Sequence, residues 1–119
     1  MTAQITPFGQ TQDGQMVDAI TIRSDQLSVR LLTWGAVIQD VRLSGIAHSL
    51  TLGAPELAAY AERMNSFGAL MGPVVNRIKG ASAPIAGTRH AFEAYLDGAH
   101  TKHGGSHGPQ RQVWTLLGS

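Results

Sequence analysis

Two runs rich in β-branched residues, 17–23 (Val17-Asp18-Ala19-Ile20-Thr21-Ile22-Arg23) and 27–33 (Leu27-Ser28-Val29-Arg30-Leu31-Leu32-Thr33), are separated only by Ser24-Asp25-Gln26. Short polar punctuation between such runs predicts a hairpin or meander, and so antiparallel sheet. Residues 36–43, bracketed by Gly35 and Ser44-Gly45, alternate apolar and polar in part and predict a third strand. Residues 46–52 offer a fourth extended piece before Gly53. The segment 67–75 is small and apolar with Gly68, Gly72 and Pro73 inside, which suits a buried strand with a bulge better than a helix. Residues 81–95 read as two strands around a turn at Gly87, and 113–117 as the start of another. The one helical candidate is 55–64, with Pro55 at a first-turn position and good helix formers after it. The expected fold class is therefore all-β, an antiparallel β-sandwich with at most one short helix.

The 119 residues give the length of one small domain, with 43% hydrophobic and 14% charged residues and no block of like charge. Net charge is +1, and the nine lysines and arginines are spread thinly, with no basic run interleaved with aromatics that could track a phosphate backbone. No nucleic-acid partner is expected, and the expected ligand is uncharged. Cysteine is absent, which removes disulfides, thiolate catalysis and Cys-based zinc sites. The start lacks a basic segment followed by an apolar core, and no stretch approaches about 18 uninterrupted apolar residues. A soluble cytoplasmic protein with no membrane contact is the expectation.

Polar chemistry gathers in two places. Asn76-Arg77 follows the apolar run 69–75, so an amide and a guanidinium stand where buried backbone reaches an opening. Together they supply donors and an acceptor suited to vicinal hydroxyls. The plainer alternative is a strand-end arginine pairing with a surface carboxylate. In the Gly/His-rich stretch 98–108, His100, His103 and His107 are spaced three and four apart, offsets that share a helix face and could hold a metal. Glycines at 104, 105 and 108 argue against a helix, so no metal is expected. Gly104 and Gly105 permit positive φ and close approach to a ligand, aiming His103 inward; a flexible exposed turn with incidental histidines is the other reading. Trp114 is either a platform for a sugar face or a core residue.

The ordered set Gly72-Pro73-Val74-Val75-Asn76-Arg77-Ile78, Gly80, the hairpin around Gly87, His103-Gly104-Gly105 and Trp114 resembles the aldose 1-epimerase (galactose mutarotase) family. Thr33-Trp34-Gly35-Ala36-Val37-Ile38 looks like that family's first glycine-alanine turn, and Leu52-Gly53 like its strand end before Tyr60. The resemblance implies a large antiparallel β-sandwich, of which residues 1–119 would be an incomplete N-terminal part. It also implies interconversion of the α and β anomers of free aldoses such as galactose or glucose by acid/base ring opening, with no cofactor. Carried over residue by residue, Asn76 and Arg77 match the pair that hydrogen-bonds sugar hydroxyls. His103 matches the first site histidine, which contacts the sugar and assists proton transfer as a catalytic residue. The family's glutamate base and principal acid histidine lie downstream of the matched segment. Lys102 departs from the family's usual apolar residue, His100 from an asparagine and Pro109 from an aromatic. The expectations are thus a partial sugar site, weak or absent activity in isolation, and a second chain completing the sandwich. A non-catalytic carbohydrate-binding domain or an inactive fragment is the alternative, and an enzyme for phosphorylated hexoses would need further cations near Arg77.

Overall fold

The computed structural model describes residues 2–118. Its centre is a four-stranded antiparallel sheet in the order β1 (Thr2–Gln10), β2 (Met16–Arg23), β3 (Leu27–Leu32), β4 (Ile38–Leu43). Two short ribbons follow: β5 (Arg77–Ile78) with β8 (Thr101–Lys102), and β6 (Ser82–Ile85) with β7 (Thr88–Ala91). One helix, α1 (Leu57–Ala61), interrupts them. The antiparallel all-β class with a single short helix is therefore as expected. Among the described residues no helix is long and apolar enough to cross a membrane.

Strand β2 explains the sheet. Its alternation buries Val17 and Ala19 on one face, where they meet Leu32, Val37, Leu57 and Tyr60 in the core. The other face carries Ile20 and Ile22, whose register partners are Ile5 and Leu31, and Ala3 and Val29. Both faces are thus apolar, as the strands of a sandwich require. Tyr60 is 1% exposed, and its hydroxyl accepts the Ala54 backbone N–H at 2.8 Å. Tyr60→Phe deletes that acceptor and strands a buried N–H, so a loss of about 1–3 kcal/mol is expected, read as a lower urea midpoint at unchanged slope.

Four expectations need correcting. Residues 46–52 form turns and no strand: Ser49 Oγ accepts the Val41 N–H at 3.2 Å, a side chain taking the place that a ladder partner would hold. Residues 67–75 form no strand, and of them only Gly72 is buried. Gly68 sits at φ +63°, Pro73 follows a cis peptide bond and offers no N–H, and Val75 is 62% exposed. Beyond the isolated bridge of Val113 with Trp34, residues 114–118 carry no strand. The helix is five residues long, not ten, because Pro55 lies outside it and the N-cap Glu56 makes no side-chain capping bond. Strand β1, which no alternation announces, is held by its register with β2.

The turn at Gly35 (φ +64°) and Ala36 (φ +48°) ties the sheet to the C-terminal segment. The Gly35 N–H donates to the Gln112 carbonyl at 2.8 Å and the Trp114 N–H to the Thr33 carbonyl at 2.7 Å. A Cβ on Gly35 would approach the Gln110 carbonyl oxygen to 2.7 Å, so the turn packs directly on the loop that follows His103.

Candidate functional site

Antiparallel pairing of β5 with β8 sets Arg77 opposite Lys102 and Ile78 opposite Thr101. Asn76, one residue before β5, and His103, one residue after β8, therefore come to the same end of the ribbon. They are joined reciprocally. The His103 N–H donates to the Asn76 carbonyl at 2.9 Å, and the Asn76 N–H donates to His103 Nδ1 at 3.1 Å. Arg77 Nη1 donates to Asn76 Oδ1 at 3.2 Å. The structure thus brings all three sequence-derived site residues together, with His103 half-buried and Asn76 and Arg77 exposed. Asn76 (φ +64°) and His103 (φ +49°) both lie in the left-handed region, which asparagine and histidine enter more readily than most residues. Holding two neighbouring residues there costs energy that only a surrounding network sustains, a pattern common at ligand clamps.

That network is the turn behind His103. Gly104 has φ +80°, and a Cβ there would overlap the Gly72 carbonyl oxygen; Gly105 has φ +83°, and its Cβ would overlap the Glu93 carboxylate. The close approach these glycines permit is therefore to the protein's own chain, not to a ligand. Glu93 Oε2 accepts the Ser106 N–H at 2.7 Å and the Ser106 hydroxyl at 2.9 Å. From the other side Gln110, 5% exposed, donates Nε2–H to the His103 carbonyl at 3.1 Å.

The Asn76 N–H can donate only to an unprotonated ring nitrogen, so Nδ1 is the acceptor and the neutral imidazole carries its proton on Nε2. Burial lowers the His103 pKa below its ordinary value of 6.5, and the charges of Lys102 and Arg77 push the same way. A neutral Nε2–H donor at pH 7 follows. Because the folded pKa lies below the unfolded one, this stabilisation is complete above pH 6.5 and is lost as the pH falls through the depressed value. The urea midpoint is expected to fall on acidification below 6.5, and that part of the fall should be absent in His103→Gln. Glu93, whose pKa the Ser106 N–H and hydroxyl hold below 4.5, adds its loss only at lower pH still.

The other histidines have separate tasks. His100 Nδ1 accepts the Gly80 N–H at 3.0 Å, and His107 Nδ1 lies 2.8 Å from Ser106 Oγ. Among the described residues no group of three His, Asp or Glu side chains is arranged to hold a metal ion.

His103 opens on a cleft of ≈ 370 Å³ whose wall includes Asn65, Tyr95, Lys102, Gln110 and Arg111. Arg111 stacks 5.3 Å from the centre of the Tyr95 ring and donates to its hydroxyl at 2.6 Å. Asn76 and Arg77 flank this cleft and are not part of its lining. Trp114 lines a different one, with Ile5 and Met16, so it is no platform beside His103. A larger cleft of ≈ 570 Å³ lies on the sheet against Arg30, Asp40 and Arg42. Its charges are already engaged, Arg42 with Asp40 at 2.9 Å and Arg30 over the Phe8 ring, so its one carboxylate is held in an ion pair. Tyr95, Gln110 and Arg111 escaped the sequence reading because the 103–105 turn delivers them. The only local signal was their nearness to the Gly/His-rich stretch.

The family model described as aldose 1-epimerase matches residues 18–119. The chain belongs to the aldose 1-epimerase family. Galactose mutarotase from Mus musculus is 33% identical to this family member over 114 residues, covering 92% of this chain and 33% of the mouse protein. Maltose epimerase from Levilactobacillus brevis is 35% identical over 82 residues, 67% of this chain and 24% of that protein. The crystal structure of galactose 1-epimerase from Lactobacillus acidophilus NCFM superposes with a TM-score of 0.78 at 22% identity, covering 95% of this chain and 33% of that one, a likeness of fold. This epimerase-family chain spans about a third of the length of the galactose mutarotases it matches.

Proposed function

We propose that this chain supplies part of a sugar-binding and proton-transfer site for interconverting the α and β anomers of free aldoses. The observation that carries the reading is the reciprocal Asn76–His103 pair, which leaves the His103 Nε2–H as a neutral donor beside a cleft. Ring opening needs a group that takes the proton of the anomeric hydroxyl and a group that donates to the ring oxygen. A neutral imidazole with Nε2–H is suited to hydrogen-bonding the ring oxygen while a separate acid supplies the proton, and its lowered pKa keeps it in that form near pH 7. Arg77, anchored by Asn76 Oδ1, keeps further N–H donors for vicinal hydroxyls. Membership of the aldose 1-epimerase family and the mutarotase and epimerase relatives support the reaction class.

Magnetisation-transfer NMR on galactose, with a polypeptide carrying this sequence, tests the reading. Anomer exchange faster than in buffer is the expected result. Sugar-induced shifts at Asn76 and His103 without faster exchange would make this a binding surface only, and neither effect would end the proposal.

A further inference from the structure

A further cleft, of ≈ 430 Å³, lies where the turn between β1 and β2 meets α1, and it shares only Arg111 with the His103 cleft. It is shaped by Gly9. A Cβ there would come within 3.0 Å of Leu57 Cβ, so the missing side chain lets α1 close on β1. Ala58 and Ala61 give the cleft apolar surface, and the half-buried Trp34 adds an aromatic ring. The 10–15 turn forms another wall and is braced before any ligand arrives. The Thr11 N–H donates to the Gln15 carbonyl at 2.9 Å, Gln15 Nε2 to Asp13 Oδ2 at 2.7 Å, and Gln10 Nε2 to the Gly14 carbonyl at 2.9 Å. Gln12, exposed in that turn, offers an amide with both donors and an acceptor. Charge narrows the ligand. Asp13 and Glu62 oppose an anion, and Arg111 opposes a cation. Glu62 and Arg111 share the wall without pairing, since among the described residues the one ion pair is Arg42 with Asp40. Free donors and acceptors around an aromatic ring and methyl groups suit an uncharged ring with an apolar C–H face and an edge of hydroxyls.

We propose that the Trp34 cleft is a second carbohydrate site, one that binds a pyranose without reacting on it. The C–H face of the sugar lies against Trp34, and Gln12, Glu62 and Arg111 take its hydroxyls. This goes beyond the anomer-exchange reading above and does not rest on it. Among the described residues no imidazole lines this cleft, so nothing in it calls for a free anomeric hydroxyl. A pyranose locked by a methyl group on its anomeric oxygen therefore binds there as a free aldose does.

The test is an NMR titration of a polypeptide carrying this sequence with methyl β-galactoside, methyl β-glucoside and glycerol. The chain has two tryptophans, so the Trp34 indole N–H reports on this cleft and that of Trp114, which donates to the Pro109 carbonyl, serves as internal control. A saturable shift of the Trp34 signal with at least one glycoside, and none with glycerol, is the expected result. Gln12→Ala and Glu62→Ala, made separately so that a folding defect in one leaves the other to report, are each expected to raise the half-saturating concentration about fivefold, the ratio that one hydrogen bond provides. Neither should alter the response of the His103 ring to galactose. A Trp34 signal that ignores both glycosides, or that neither substitution weakens, overturns the inference. Glycerol matching the glycosides, or both indoles moving alike, overturns it in favour of a general solvent effect. Substitutions that weaken the Trp34 and His103 responses by one common factor reduce the two clefts to a single site and overturn it as well. A Trp34 response beside a His103 ring indifferent to every aldose leaves this inference standing and ends the anomer-exchange reading.

Discussion

Gly104→Ala is expected to lower stability by about 3 kcal/mol or more, a large share of what a small domain holds. Two terms add. At φ +80° an alanine pays about 1–2 kcal/mol for the left-handed conformation alone. Its methyl group would also overlap the Gly72 carbonyl oxygen, so either the 103–105 turn or the 72–73 segment has to move. Gly87→Ala is the matched control: its φ is also +80°, but nothing lies within 4 Å of the added carbon, so only the conformational cost of about 1–2 kcal/mol is expected. Urea unfolding of the two variants measures the difference. Equal losses would show that the turn does not pack against Gly72, and would remove the reason for His103 being held where it is.

The second large effect concerns His103 directly. In a polypeptide that exchanges anomers, His103→Ala is expected to slow exchange by about 10²–10³-fold, the range for losing one preorganised hydrogen-bond donor. His103→Gln separates the chemistry from the architecture. Its amide oxygen can accept the Asn76 N–H and its amide nitrogen can still donate to a sugar oxygen, but it does not ionise near pH 7. Sugar-induced shifts at Asn76 should therefore survive in His103→Gln, and the exchange rate should fall less than in His103→Ala. A His103→Gln variant as slow as His103→Ala would show that ionisation of the ring, and not its Nε2–H donor, carries the effect.

Strands β2, β3 and β4 and the β6/β7 hairpin were legible because each carries its own punctuation: Ser24-Asp25-Gln26, Gly35, Ser44-Gly45 and Gly87. Where the sequence misled, a longer-range partner decided. Residues 46–52 look extended, yet the Ser49 hydroxyl bonds the Val41 backbone. Residues 67–75 look like buried strand, yet Gly68 is pinned at positive φ with its carbonyl accepting the Ile38 N–H, and Pro73 has no donor to give. Strand β1 contains Pro7 and Gly9, which weaken a strand reading, and exists because β2 pairs with it. At the site, Asn76, Arg77 and His103 were legible only as an ordered motif, since no periodicity joins residues 27 positions apart. The two-residue ladder that unites them is too short to announce itself. Lys102 was visible as a departure from the motif, but its pairing with Arg77 needed the register.

The most direct test of the whole account is the ¹⁵N spectrum of the His103 imidazole at neutral pH, with and without galactose. A neutral ring with Nδ1 unprotonated and Nε2 protonated is expected, with a sugar-dependent shift at Nε2 together with the Asn76 amide. A ring protonated at Nδ1, or one indifferent to every aldose offered, would contradict it.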